Sequence, residues 1–441
     1  VLGADPAREA DRIELSGRFL AALSPERPAL AGLLFYLLLT AIAPIAPAVE
    51  INLRALAYVG ACYLAFVAGV ATCRSLNPAP TLAARLRIPP LSLRGFMFVL
   101  GVAWVGVALR VADRFVVRQV PLGDDFTAVR QQLQQSESSL LSAASAGLYP
   151  AAFVTVIAYY MLPAGRRRLV LGLAAYLVFL YPALEAGMQG SRSLIMISFA
   201  FVVLSRQLLP GAFGILRRPA VFFMAALLLG YGLFLIFEMR LEASGTDFIT
   251  SSQLSGYAFT VPPSKPMEAL LLESEGPIRL LASIALHITQ YYCHSGYELM
   301  YIFDRLPDQP LFGAYNFFHF FKLLSLLTGD TSLIDQAQAV DIRTGVFATF
   351  FVPLFVDFGW LGVVVMFGFG YGCTVLWRAA CRRTVVWFPL LAYLTIVVFL
   401  MPVTSFIVAA QGLYTIVALS FIGLGLAVLE RDSSTTPTAT D

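Results

Sequence analysis

Long continuous apolar runs alternate with short polar connections along almost the whole 441-residue chain. Ten of them approach the roughly 20 residues a helix needs to cross a bilayer. They span 29–47, 53–72, 93–110, 146–163, 169–187, 193–209, 219–237, 350–377, 385–402 and 410–429. The runs are unbroken instead of alternating every second residue, which predicts helices and excludes a membrane β-barrel. Two polar-rich segments interrupt the series. In 111–145, the stretch Phe126–Leu141 reads as an amphipathic helix. In 238–349, apolar residues recur at helical spacing over 266–289, 290–305 and 315–327. A structureless loop of that length would be unusual, so short helices lying against a membrane face are expected there.

Composition agrees with this pattern. The chain is 59% hydrophobic and 13% charged, with a mean hydropathy of +0.77, whereas soluble domains sit near 45–50% and 25%. That excludes a disordered chain, a coiled coil and an ordinary soluble enzyme. Residues 1–28 hold four Arg and five acids, unlike the basic start of a signal peptide. The net charge of +3 is dispersed over many loops and leaves no nucleic-acid footprint. The five cysteines show no CxxC spacing; they read as small hydrophobes, with no disulfide and no metal site expected. No internal repeat points to an inverted-repeat transporter.

Arginine placement sets an orientation. With ten spans and both termini inside, the inner loops hold Arg74, Arg85, Arg87 and Arg94; Arg166–Arg168; Arg206, Arg217 and Arg218; and Arg378, Arg382 and Arg383. The short outer loops hold only Arg54 and Arg192. The expected plan is an all-α polytopic membrane protein. It has a cytoplasmic segment 1–28, spans one to seven over 29–237, a large periplasmic loop 238–349, spans eight to ten over 350–429 and a cytoplasmic tail 430–441.

Ionisable residues are scarce inside the spans, where each would be costly, and no Asp/Glu/His ladder crosses the membrane. Polar chemistry collects instead at the outer ends. Gly190–Ser191–Arg192 lies between spans five and six, with Glu185 about two helical turns earlier. Arg192 could grip a phosphate or simply snorkel to headgroups. Arg240 follows span seven, flanked by Glu238 and Glu242, which could pair with it. The stretch Tyr291–Glu298 contains His294, one of three histidines, which suits either a structural hydrogen bond or a general base. Cys293 and His294 are adjacent on a helix and point apart, so they make no nucleophile pair. Asp357 enters span eight, with Arg343 as its candidate partner. P-loop, HExxH and GxSxG patterns are missing from the sequence, and the inner loops are too short for a soluble domain. A substrate would therefore arrive through the membrane.

In order, MQGSRSLIMISFAFVVL, HSGYEL, PLFGAYNFF and RTGVFATFFVPLFVDFGWLGVVVMFGFGYG resemble the Wzy-type O-antigen and oligosaccharide repeat-unit polymerases. They resemble the O-antigen ligases more distantly. The resemblance covers roughly 93–430. It implies a GT-C-like glycosyltransferase of the bacterial inner membrane, working at the periplasmic face by inverting transfer without metal or cofactor. Donor and acceptor would both be undecaprenyl-diphosphate-linked glycans, and a chain-length-regulating co-polymerase is a possible partner beside the membrane lipid. Carried onto this chain, Arg192 and Arg240 would bind diphosphate and Arg343 would add a third cation. His294 would be the base or a hydrogen-bond donor, with Glu298, Asp304, Glu185 and Asp357 as further candidates. HSGYEL lacks the Leu of the ligase pattern at its expected place, which favours polymerase. The alternatives are a ligase acting on lipid A–core and a flippase for lipid-linked glycans.

Overall fold

The computed structural model describes residues 13–76, 85–120, 140–188, 193–209, 218–243, 245, 250, 256–306, 309–340, 343, 346–408 and 412–430. Gly190, Ser191 and Arg192 lie outside the described residues, as does most of the Phe126–Leu141 segment.

The chain is mostly helical. Strand β1 (Ile13–Ser16) leads into α1 (Gly17–Ala22), α2 (Glu26–Ile42) and α3 (Leu53–Leu76). After β2 (Arg85–Ile88) comes α4 (Leu93–Val111), prolonged by a π-helical turn, Ala112–Val117. Next are α5 (Leu140–Leu148), a 3-10 segment (Tyr149–Val154), α6 (Thr155–Tyr160), α7 (Leu169–Met188), α8 (Ser193–Leu208) and α9 (Pro219–Ala243). The expected large loop carries α10 (Lys265–Glu273), α11 (Gly276–Ile302), α12 (Phe318–Thr328) and α13 (Ser332–Gln338). The chain returns through α14 (Phe351–Phe358), α15 (Gly362–Arg382), α16 (Thr384–Phe399) and α17 (Gly412–Leu429).

Among the described residues, six helical stretches are long and apolar enough to cross a membrane: Leu53–Leu76, Leu93–Val117, Leu141–Tyr160, Leu169–Gly187, Phe351–Arg382 and Gly412–Leu429. The protein is transmembrane. The other four expected runs also form apolar helices: α2 has 17 residues, α8 and α16 have 16 each, and α9 runs for 25, its apolar stretch traced over Pro219–Gly232 among the described residues. Among the described residues, length and apolarity therefore support six of the ten expected spans. Leu34, Leu38, Leu64, Leu173, Leu177 and Leu228 are exposed on these helices. Such a density of bare leucine suits hydrocarbon and would be unusual against water.

One departure from an all-α plan is the antiparallel pairing of β1 with β2, from Ile13↔Ile88 to Ser16↔Arg85. Alternation explains it: Ile13 and Leu15 turn into the core, while Glu14 turns out to meet Arg85 at 3.2 Å. A second departure is α11. The sequence pattern suggested separate pieces at 266–289 and 290–305, whereas the helix runs unbroken for 27 residues, about 40 Å. The break falls earlier because Gly276 takes φ +61° and Pro277 then occupies the first turn, where its missing N–H costs nothing.

Helices α3 and α15 pack backbone to backbone. A Cβ on Gly69 would lie 2.1 Å from the Phe367 carbonyl oxygen, and one on Gly370 would lie 2.2 Å from that of Phe66. Small residues permit such approach in a bilayer, where packing replaces the hydrophobic effect.

The bundle has two chemically different poles. At one, Arg74 meets Glu26 at 2.6 Å, Trp377 Nε1 donates to the Leu20 carbonyl at 2.9 Å and Ser92 Oγ donates to Glu430 at 2.6 Å. The Arg166–Arg168 and Arg378–Arg383 clusters end helices on this side. At the opposite pole, the Ala46 and Ala48 amides donate to the Pro262 and Thr260 carbonyls. Arg54 and Asn52 hold Asp304 at 3.0 and 2.6 Å, and the Phe350 amide donates to the Met401 carbonyl at 3.0 Å. Helix α11 lies at this second pole.

Candidate functional site

Helix α11 is amphipathic, and its buried face carries the polar side chains His287, Gln290, His294, Ser295 and Glu298. Spacings of three and four residues stack them along one side. Cys293 lies against α2: the Tyr36 hydroxyl donates to its carbonyl at 3.1 Å. Gln290 Nε2 donates to the Val261 carbonyl at 3.0 Å, which ties the segment 256–262 to the helix.

His294 is fully buried. Its Nδ1 lies 3.0 Å from the Gln290 carbonyl oxygen and 2.8 Å from that of Tyr291. Carbonyls only accept, so Nδ1 carries the proton and, in the neutral ring, Nε2 presents its lone pair. Nε2 is buried and makes no hydrogen bond of normal geometry among the described residues. The ring is clamped by Tyr257 at 4.2 Å and Phe347 at 4.3 Å, centroid to centroid. Burial lowers the imidazole pKa to about 4; the carbonyls of Gln290, Tyr291 and Phe347 oppose that shift and the Arg343 charge adds to it.

Glu298, one helical turn on, is fully buried as well. Arg343 grips it bidentately, Nε to Oε1 at 2.9 Å and Nη2 to Oε2 at 3.0 Å. The same Nη2 donates to the Gly256 carbonyl at 2.5 Å, and the guanidinium lies 4.1 Å over the Phe259 ring. Arg343 thus ties α11 to the 256–262 segment, while 25% of its side chain stays exposed. The structure gives Arg343 to Glu298, not to Asp357 as the sequence suggested.

Asp357 has other work. Its carboxylate accepts from the Tyr315 amide at 2.9 Å, the Asn316 amide at 2.8 Å and Asn316 Nδ2 at 2.5 Å. It latches the loop before α12, and the Phe312 amide, at φ +49°, donates to its backbone carbonyl. Asp304 sits in the exposed Arg54 pair. Glu185 belongs to a separate buried network at the ends of α4 and α7: its Oε1 lies 2.8 Å from Arg110 Nε and 3.1 Å from Arg114 Nε. The α9 backbone includes Arg240, but its side chain lies outside the described residues, as does all of Arg192.

The structure therefore brings together His294, Glu298 and Arg343, and sets Glu185 and Asp357 in other networks. The sequence reading missed the aromatic clamp, Tyr257 and Phe347, for which no local pattern exists. It also missed Arg110, although the spacing Arg110–Arg114–Arg118 repeats every four residues and so marks one helical face.

Between α2, α8, α9, α11 and α16 lies a chamber of about 580 Å³, walled by Phe35, Met196, Phe199, Tyr292, Phe399 and Phe406 among others. Its polar wall atoms are engaged: Thr395 Oγ1 donates to the Leu391 carbonyl and the Tyr292 hydroxyl lies 3.8 Å from Met196 Sδ. Tyr292 joins the chamber to the helix that carries His294. Among the described residues no three His, Cys, Asp or Glu side chains gather as a metal site.

No protein-family model matches this sequence, no curated protein matches it, and no solved structure matches its fold.

Proposed function

We propose that this protein is a membrane glycosyltransferase that polymerises oligosaccharide repeat units carried on undecaprenyl diphosphate. The observation that carries the reading is His294: a neutral, buried imidazole whose Nδ1 faces two carbonyls and whose Nε2 makes no hydrogen bond of normal geometry among the described residues, beside a partly exposed guanidinium. Two further features support it. A predominantly apolar chamber adjoins the same helix, as a substrate with a hydrocarbon carrier requires. The opposite pole is the arginine-rich one, which the positive-inside rule assigns to the cytoplasm, so His294 would face the periplasm of the inner membrane.

In the proposed reaction the acceptor hydroxyl gives its proton to His294 Nε2 as its oxygen attacks the anomeric carbon of the donor sugar. The bond from that carbon to the diphosphate oxygen breaks on the opposite face, the configuration inverts, and the diphosphate leaves with the electron pair. Arg343, with Arg192 and Arg240, would stabilise the developing negative charge. A diphosphate beside His294 would also favour the imidazolium, raising a pKa that burial holds near 4 and making the ring a stronger base once substrate is bound. Glu298 and Asp357 act as positioning residues, one holding Arg343 and the other the 311–317 loop.

The test uses purified full-length protein in liposomes with undecaprenyl-diphosphate-linked repeat units and no nucleotide sugar. A ladder of lengthened glycans on a gel supports the polymerase. Transfer only after lipid A–core is added identifies a ligase instead. Neither product from folded protein with authentic substrate overturns glycosyl transfer and leaves lipid-linked glycan transport to be tested.

A further inference from the structure

A second cationic centre lies away from His294, where α4 widens into its π-helical turn. Arg110, Arg114 and Arg118 follow one another every four residues, and their side chains are 5%, 11% and 11% exposed. Two acids face them. Glu185 Oε1 accepts from both Arg110 and Arg114, and Asp113 pairs with Arg118 at 3.1 Å. Arg118 Nη2 also donates to Ser142 Oγ at 2.7 Å. Among the described residues, three guanidiniums face two carboxylates in a site that is about nine-tenths buried.

The geometry is more specific than the charge. Arg110 and Arg114 each spend only Nε on Glu185. Among the described residues the terminal amino nitrogens of both make no hydrogen bond, and the Arg110 guanidinium carbon lies 5.4 Å from the centre of the Tyr149 ring. One carboxylate oxygen thus holds two guanidinium planes in place while their forked ends stay unsaturated. Two such forks, held side by side, suit a tetrahedral oxyanion that accepts several hydrogen bonds at once.

We infer that Arg110 and Arg114, oriented by Glu185, form a binding site for a phosphate or diphosphate group, separate from the Glu298–Arg343 pair. The same chemistry is offered by a free anion and by the headgroup of a lipid. This site stands whether or not the protein transfers glycans, because its test reads binding.

Purified full-length protein in detergent would be titrated with inorganic pyrophosphate and, separately, with farnesyl diphosphate, using calorimetry. Arg114→Gln is the informative variant, since it leaves Glu185 paired with Arg110. The expected result is saturable binding of at least one probe, weakened tenfold or more by Arg114→Gln. Binding of both probes indicates a free-anion site, and binding of farnesyl diphosphate alone a lipid-borne one. If Arg114→Gln does not fold, wild-type protein is labelled with phenylglyoxal and read by mass spectrometry. The bound probe should then slow modification of Arg110 and Arg114. Binding of neither probe, equal affinity in the variant, or labelling unchanged by the probe overturns the site.

Discussion

Breaking the Glu298–Arg343 pair should be strongly asymmetric. Glu298 is fully buried and its two oxygens face Arg343 at 2.9 and 3.0 Å. Arg343→Met strands an ionised carboxylate in the protein interior. Removing one partner of a buried pair costs about 3–5 kcal/mol; because 25% of the Arg343 side chain already meets solvent, the lower end, about 3 kcal/mol, applies. Glu298→Gln leaves the guanidinium with the Gly256 carbonyl, the Phe259 ring and solvent, so its cost should be about 1–2 kcal/mol. The double variant has no stranded charge and should lose no more than about 2 kcal/mol, which makes the coupling between the sites at least about 2 kcal/mol. The assay is unfolding in detergent followed with a thiol-reactive dye. It suits a chain whose five free cysteines include four that are buried. Additive single effects, or a Glu298→Gln variant less stable than Arg343→Met, would refute this account of the pair.

Three other outcomes follow from the same structure. Because burial holds His294 near pKa 4, below its usual 6.5, the unfolded chain takes up the proton first as pH falls. This residue's contribution is complete above pH 6.5 and is lost between 6.5 and 4, by up to about 3 kcal/mol; His294→Gln should flatten that part of the pH–stability curve, and an unchanged slope would exclude it. Asp357→Ala leaves the Tyr315 and Asn316 amides without their acceptor, at a cost of about 1–3 kcal/mol per stranded group. Limited proteolysis should then cut first within 309–317, and an unaltered cleavage pattern would contradict the latch. Gly370→Ala pushes a methyl against the Phe66 carbonyl and should destabilise by about 1–3 kcal/mol, whereas Gly372→Ala, which meets open space, should be neutral in a thermal melt.

The membrane class and the helical positions could be read from the apolar runs, because an unbroken run has few alternatives in a bilayer. The boundaries of α11 were harder. Its apolar stripe was visible, but the exit at Ser274–Gly276 depends on a left-handed glycine that periodicity does not show. His294 and Glu298 were recognisable as unusual polar residues in an apolar stretch. Their partners were not, since Arg343 is 45 residues from Glu298 and Asp357 offered itself as a nearer match. The 110–118 cluster was hidden for a different reason. An apolar run that ends at Arg110 invites reading 111–118 as loop, while the helix continues into a π turn that keeps its arginines together.

The central claim rests on one nitrogen, His294 Nε2. Glycan transfer in liposomes should be timed for wild type and for His294→Ala, with both proteins shown to be folded by the thiol-dye melt. The account expects the mutant to lose at least about a hundredfold in rate, the usual contribution of a general base, while still binding the lipid-linked substrate. A mutant that elongates glycans at the wild-type rate would contradict it and return His294 to a purely structural role.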